Sequence, residues 1–268
     1  MSIITVSRGT FSGGKMLAEC LARRLDYRCI DRDMLVRKAA TGRVSEHDLR
    51  AALEEPPAFP GRFNHRRYIY LALIQAALAE EVRGGRAVYH GLAGHLLLRG
   101  AAGILRLRII APMEFRIRMA QERLNLSRSE VIAHIEEMDH DRRRWTQFLY
   151  GLDWGDPSLY DLVINLEHVE MEQACRIVVS MLEDGAFAFT PECQATMNDL
   201  ATSSRVRAAL ALDPYTLNLE VEVECRGGRI WVRGDSLDDE SAAIRRVAAG
   251  VPGVTDVMLE EAAPAASS

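Results

Sequence analysis

Lysine is almost missing from this chain. Of its 33 Lys plus Arg, only Lys15 and Lys38 are lysine. A lysine is a compact point charge and an arginine a planar fork, so the two do not interchange at a tight phosphate site. A lysine kept in an arginine-rich chain therefore draws attention to Lys15. Paired cysteines are missing too. Cys20, Cys29, Cys175, Cys193 and Cys225 are odd in number, scattered, and form no C-x-x-C. They read as reduced thiols in a cytoplasmic protein, not as a disulfide framework or a zinc site, and no protein metal site is expected. There is no basic excess. The net charge is −5, and residues 201–268 carry eleven Asp or Glu against seven Arg. A general nucleic-acid-binding face is thereby excluded. Long apolar runs are absent as well: Ile69 to Ala79 is the most apolar helical stretch, too short to span a bilayer. No basic region precedes a long apolar stretch at the start, so no signal peptide is expected. What remains, 48% apolar and 26% charged over 268 residues, is a globular composition for one large domain or two ordinary ones.

The organising stretch lies at the start. Ile3-Ile4-Thr5-Val6-Ser7-Arg8 is a β-branched, apolar run. Gly9-Thr10-Phe11-Ser12-Gly13-Gly14-Lys15 then fits G-x-x-x-x-G-K, and Leu17, Cys20, Leu21 and Leu25 follow at helix spacing. Strand, glycine loop and helix form the context of a phosphate-binding loop. Glycines let successive N–H groups curl toward an anion, the helix N-terminus adds partial positive charge, and the lysine reaches the outer phosphates. Gly9, Thr10, Phe11, Ser12, Gly13, Gly14, Lys15 and Met16 are the candidate nucleotide cradle. Position 16 should be a hydroxyl residue that ligates Mg²⁺, and it is Met16.

Further along, Tyr27 to Asp31 predicts a second strand. Asp31 emerges where a ligand crevice would lie, and it reads equally as a substrate or metal-water contact or as a helix N-cap, with Asp33 the better cap. Ser45 predicts the cap of another helix, Glu54 to Asn64 a Pro- and Gly-bearing loop, and His65 to Val82 a long helix. Arg86 to His90, Leu105 to Ile110 and Tyr160 to Asn165 predict three more strands. His90 and His95, five apart among glycines, read as structural. Helices are expected from Met113, from Ser127 through Arg142-Arg143-Arg144, and from Val169 to Glu183. Strands alternating with helices imply a parallel sheet flanked by helices, with the ligand at the carboxyl end of the first strand. The Arg-bearing helices could close over phosphates as a lid, since phosphoryl transfer needs delocalised positive charge. Gly185 to Pro191 breaks the pattern. Beyond it, a helix around Asp199 to Leu212, strands at Leu219 to Cys225, Ile230 to Gly234 and Val254 to Leu259, and a helix from Ser241 predict a small α+β domain. The domains are expected at 1–186 and 194–262, followed by a frayed tail.

The first 185 or so residues resemble the cytidylate kinase-like family of P-loop kinases. The resemblance rests on Ser7-Arg8 through Gly14-Lys15, Tyr27 to Asp31 with Arg32-Asp33, and Ala111-Pro112 with Arg116. Asp139-x-x-Arg142, Asp153-Trp154-x-Asp156-Pro157 and Tyr160 to Asn165 complete it. It implies a parallel sheet with a monophosphate-binding region and a mobile lid, and transfer of the γ-phosphate of ATP to CMP or dCMP with Mg²⁺. Carried over by position, Gly9 to Lys15 would cradle ATP phosphates. Arg116 would sit at the lid hinge, and Asp139 and Arg142 would hold the acceptor. Lys15, Arg116 and Arg142 are then the candidate catalytic residues, and Asp31, Asp139 and Arg142 the candidate acceptor contacts. Ile135 and Gly91 differ from the family pattern, which usually has an Arg at the first position and an acid at the second.

Residues from about 196 to 261 resemble a BON domain, on Val206 to Leu210, Gly227 to Gly234 and Val251-Pro252-Gly253-Val254. That resemblance implies docking of a protein, lipid or small ligand, and the acidic balance argues against an anionic membrane surface. Two functions follow. One is a nucleoside-monophosphate kinase. The other is a nucleotide-binding sensor that no longer transfers phosphate and reports to the C-terminal module.

Overall fold

The computed structural model describes residues 1–41, 43–54, 65–91, 93–235 and 237–261. The loop expected up to Asn64 and the tail from Ala262 lie outside the described residues. The chain runs β1 (Ile3–Arg8), α1 (Gly14–Leu25), β2 (Arg28–Asp31), α2 (Arg32–Ala39), α3 (Glu46–Glu54) and α4 (His65–Val82). It continues β3 (Ala87–His90), α5 (Gly94–Leu97), β4 (Ile104–Ile110), α6 (Met113–Gln121), α7 (Arg128–Tyr150), β5 (Leu162–Asn165) and α8 (Met171–Glu183). The C-terminal part is α9 (Pro191–Leu212), β6 (Glu222–Arg226), β7 (Arg229–Gly234), α10 (Ser241–Ala249) and β8 (Asp256–Glu261).

The first five strands form one parallel sheet in the order β2-β3-β1-β4-β5. The strand carrying the glycine loop is thus central, and its side chains face helices on both sides. On one face, Ile4, Val6, Leu105 and Leu107 pack against Leu17, Ala18 and Leu21 of α1 and Ala174, Cys175 and Val178 of α8. On the other, Ile3, Ala87 and Tyr89 meet α2, α4 and α5. Burial on both faces explains why these strands read as near-continuous apolar runs. The helices α6 and α7 form a separate pair around Ile117, Ala120, Val131 and Ile135. Ile135 is fully buried inside that pair. This position faces an apolar seam, which accounts for an aliphatic residue there.

Local signals set the helix starts. Ser127 and Glu130 form the reciprocal cap of α7. Ser45 caps α3, its Oγ accepting the Asp48 N–H at 3.1 Å. At α2 the cap is Asp31, not Asp33: Asp31 Oδ1 accepts the Met34 N–H at 2.7 Å. Asp33 lies inside the first turn and pairs with Arg50. The helix begins one residue after the strand ends, so only Asp31 has the extended backbone that a cap requires.

The C-terminal part has its own three-stranded sheet, β6-β7-β8, antiparallel then parallel. Its core joins Val206 and Leu210 of α9 to Ile230, Val232, Ile244 and Val257. The β6–β7 hairpin turns on Gly227 and Gly228, both at positive φ. A Cβ on Gly228 would lie 2.7 Å from the Gly253 carbonyl oxygen, so only glycine fits.

The two parts share α9. Met197, Ala201 and Ala208 belong to the first core, and Val206 and Leu210 to the second. Positions 197 and 206 lie half a turn apart on a helix, so opposite faces serve different cores. The segment before it is tied down as well. The Phe189 N–H donates to the Met1 carbonyl at 2.7 Å, and the Phe189 side chain packs on the first core.

Candidate active site

The glycine loop leaves β1 at the carboxyl edge of the sheet. Gly13 has φ +89° and caps α1 without a side-chain hydrogen bond, so the first-turn N–H groups stay open to an anion. A Cβ on Gly13 would lie 2.8 Å from Leu166, and one on Gly14 would lie 2.6 Å from the Cβ of Arg8. Arg8 therefore lies directly against the loop. Ser12 is fully buried and braces the turn, its Oγ donating to the Gly9 and Ile109 carbonyls, 3.0 Å each.

Two cavities flank the loop. One, of about 240 Å³, is lined by Thr10, Phe11, Gly13, Gly14 and Met16 with Arg123 and His134. The other, of about 250 Å³, is lined by Asp31, Arg32, Asp33, His90, Trp145 and Trp154. Arg8, Lys15 and Arg142 line both. The three cations thus form a common wall between a cavity on the glycine loop and one beyond it.

The wall is held from behind by Asp139. Its Oδ1 accepts the Thr10 N–H at 2.9 Å and the Thr10 hydroxyl at 2.7 Å. Its other oxygen pairs with Arg116, whose Nε donates to the Thr10 carbonyl at 2.7 Å. Arg142 Nη1 donates to Thr10 Oγ1 at 2.7 Å and to Asp139 Oδ1 at 3.2 Å. Burial works to raise the Asp139 pKa, yet the Thr10 hydrogen bonds and the Arg116 charge outweigh it and leave the carboxyl below its ordinary value. Arg142 is pushed down to about 10, by burial first and then by the charge of Arg8. Lys15 is half exposed and 3.7 Å from Glu19.

Two residues lining the second cavity, Ser7 and Trp154, are held by a hydrogen-bonded cluster. The Arg108 guanidinium stacks 4.1 Å from the Trp154 ring centroid and donates to the Trp154 carbonyl at 2.5 Å. Trp154 Nε1 donates to Ser7 Oγ at 2.9 Å, and Ser7 Oγ lies 3.1 Å from the Tyr160 hydroxyl. His90 ends β3 opposite Asp31 and lines the cavity, while His95 packs at a tilt against Tyr160, the ring centroids 4.7 Å apart.

The structure brings the expected residues together unevenly. Gly9 to Met16, Lys15, Arg142 and Asp31 surround the two cavities or frame the loop. Arg116 lies under the loop, and Asp139 lines neither cavity, its carboxylate being committed to Thr10 and the two arginines. Arg8, Arg32, Arg123, His90, Trp145 and Trp154 were not singled out as site residues by the sequence. Arg8 and His90 end β1 and β3, Arg32 opens α2, Arg123 follows α6, Trp145 is on α7 and Trp154 follows it, so only the tertiary fold brings them to the site. The stretches Ser7-Arg8 and Asp153-Trp154 carried the family resemblance, which was the available signal.

The model of the cytidylate kinase-like family matches residues 3–168. A cytidylate kinase of Staphylothermus marinus is 25% identical over 185 residues, covering 68% of this chain and 97% of that protein. One of Pyrococcus horikoshii is 25% identical over 182 residues, covering 68% and 88%. Among solved structures, an uncharacterized protein from Eubacterium ventriosum superposes with a TM-score of 0.55 at 15% identity, covering 68% of this chain and 98% of that one, a likeness of fold. A family match that takes in the glycine loop, all five parallel strands and the paired helices α6 and α7 covers well over half of the molecule, and the chain belongs to the cytidylate kinase-like family.

Proposed function

We propose that this protein transfers the γ-phosphoryl group of ATP to a nucleoside monophosphate, CMP or dCMP. The observation that carries the reading is the pair of cavities with one cationic wall, Arg8, Lys15 and Arg142. A kinase needs two anionic ligands held on either side of the point where the phosphoryl group crosses. The cavity on the glycine loop suits the triphosphate, and the cavity lined by Asp31, Arg32, Trp145 and Trp154 suits the acceptor. In the transfer, an acceptor phosphate oxygen forms a bond to the γ-phosphorus. The bond from that phosphorus to the β–γ bridging oxygen breaks, and its electron pair leaves on ADP. Lys15 and Arg142 offset the charge that shifts between the two oxygens, in a site that costs no reorganisation at that moment. Asp139 and Arg116 position Thr10 and the loop. The names of the curated relatives favour cytidine nucleotides.

ATP brings Mg²⁺ with it, whose chemistry is to shield the phosphate charges. Met16 offers no hydroxyl, and among the described residues no cluster of three His, Cys, Asp or Glu could hold a metal. One Asp31 oxygen is already committed to the α2 cap. Among the described residues the side chains thus supply no three-ligand set for the ion, and one Asp31 oxygen remains to meet it directly or through water.

The BON-like reading of residues 194–262 is a proposal of the same kind. It is supported by a core of its own and by an open groove of about 1050 Å³ between α4, α9 and β6. No described helix is long and apolar enough to cross a membrane. The kinase reading is tested with a panel of nucleoside monophosphates, ATP and Mg²⁺, measuring ADP. Formation of ADP with CMP or dCMP, above the rate with ATP alone, supports it. Nucleotide binding without ADP from any monophosphate would return the sensor reading.

A further inference from the structure

The three cations of the common wall are not equivalent. Lys15 has Glu19 at 3.7 Å. Arg142 is bound to Asp139 and Thr10. Arg8 has neither an ion pair nor a side-chain hydrogen bond among the described residues, and its Nε is a buried donor without an acceptor. Its backbone carbonyl, by contrast, accepts from Arg142 at 3.5 Å. Asp139 attracts it from a distance, but the oxygens of Asp139 are taken by Thr10, Arg116 and Arg142. Burial and the charges of Arg32 and Arg123 hold the Arg8 pKa below its ordinary value.

A guanidinium with its Nε buried and unpartnered is costly unless an anion arrives. Its position is also fixed. Arg8 is the last residue of the central strand, and its stem lies in the space that a Cβ on Gly14 would fill. It lines both cavities at once, between Lys15 and Arg142. The glycine at position 14 thus serves two ends: it lets the backbone curl, and it leaves room for this side chain.

We infer that Arg8 is a catalytic arginine of the reaction proposed above, supplied from the chain itself, whose guanidinium meets the phosphoryl group as it passes from the donor cavity to the acceptor cavity. The inference rests on that kinase reading. No described side chain neutralises this charge, and a phosphoryl group passing between the two cavities is the anion its position fits. Arg8 then contributes most at the transition state and little to binding either nucleotide alone.

Arg8→Gln and Arg8→Lys test this, with CMP and ATP as substrates. Loss of an arginine that stabilises phosphoryl transfer costs roughly 10³-fold or more in kcat, so a fall of that order is expected for Arg8→Gln with the Kd for ADP within about 3-fold of wild type. Arg8→Lys should recover part of the loss, because it keeps charge without the fork. A pentaphosphate joining adenosine to cytidine, which carries both nucleosides and the phosphate chain between them in one molecule, should lose far more affinity in Arg8→Gln than ADP does. The thermal midpoint of Arg8→Gln should not fall, because an uncompensated charge has been removed. Turnover near that of wild type would overturn the inference. So would a large drop in thermal midpoint with parallel losses in ADP affinity, which would make Arg8 structural. A wild-type protein that transfers phosphate to no monophosphate would instead defeat the kinase reading, and Arg8 with it, and that result is seen without any variant.

Discussion

Replacing Asp139 with alanine separates two roles, bracing the glycine loop and contacting the acceptor. One carboxylate accepts two hydrogen bonds from Thr10 and faces both Arg116 and Arg142. Its side chain is 13% exposed, as is that of Arg116, and Arg142 is 20% exposed, so solvent screens these contacts weakly. Breaking a buried ion pair by removing one partner costs about 3–5 kcal/mol, because the other charge stays buried and unpaired. In a chain of this size a kilocalorie moves the melting midpoint by about 2–4 °C, so a drop of roughly 6–20 °C is expected. Asp139→Asn keeps an acceptor for Thr10 and loses only the charge, and should fall between that variant and wild type. The pH sign follows from the lowered pKa. The ionised carboxylate stabilises the fold fully above its ordinary value of 3.8, and the contribution is lost as pH falls through the lower folded value. The gap between wild type and Asp139→Asn should therefore close in that acid range. Because Asp139 holds the loop, Asp139→Ala should raise the KM for ATP as well as for the acceptor. Calorimetry and initial rates suffice. A midpoint unchanged within error, with only the acceptor KM raised, would refute the bracing role and restore direct contact with the acceptor.

Other perturbations have equally definite outcomes. Lys15→Ala should lower kcat by ~10²-fold or more, as loss of one preorganised charge-stabilising group does, while the nucleotide-free melting midpoint barely moves. Gly14→Ala puts a Cβ 2.6 Å from that of Arg8, and the displaced wall should reduce kcat and cost about 1–3 kcal/mol of stability by overpacking, read by rates and denaturant titration. His95 is pushed down to about 4, by burial first and then by Arg106 and Arg108. An unfolded chain binds that proton near 6.5, so as pH falls from 6.5 to 4 the wild-type fold loses about 3 kcal/mol, and His95→Phe should lose less over the same window in urea titrations.

Much of the first fold was legible because its signals are local. Ile3 to Arg8, the glycine turn and the helix spacing of Leu17 and Leu21 report on themselves, and so does the Ser127–Glu130 cap. What was not legible depends on distant pairing. Thr10 and Asp139 are 129 residues apart, and no spacing rule links them. Arg8 reads as the end of a strand until the sheet order puts both cavities beside it. Ile135 looked like a departure from a binding pattern, yet it is buried between α6 and α7. The break before Pro191 suggested a separate module, and a second core does exist, but α9 carries apolar residues on opposite faces and joins both. Such a helix has no single apolar stripe to reveal its partner.

The central claim is that two ligands meet across the wall formed by Arg8, Lys15 and Arg142. Phosphorus NMR of the wild-type protein with ATP, Mg²⁺ and CMP in one sample tests it most directly, since it separates transfer from hydrolysis. The expected result is loss of the γ-phosphate signal of ATP with matching growth of ADP and CDP, and little inorganic phosphate. Growth of inorganic phosphate with no CDP, or an unchanged spectrum with CMP and with every other monophosphate tried, would contradict it.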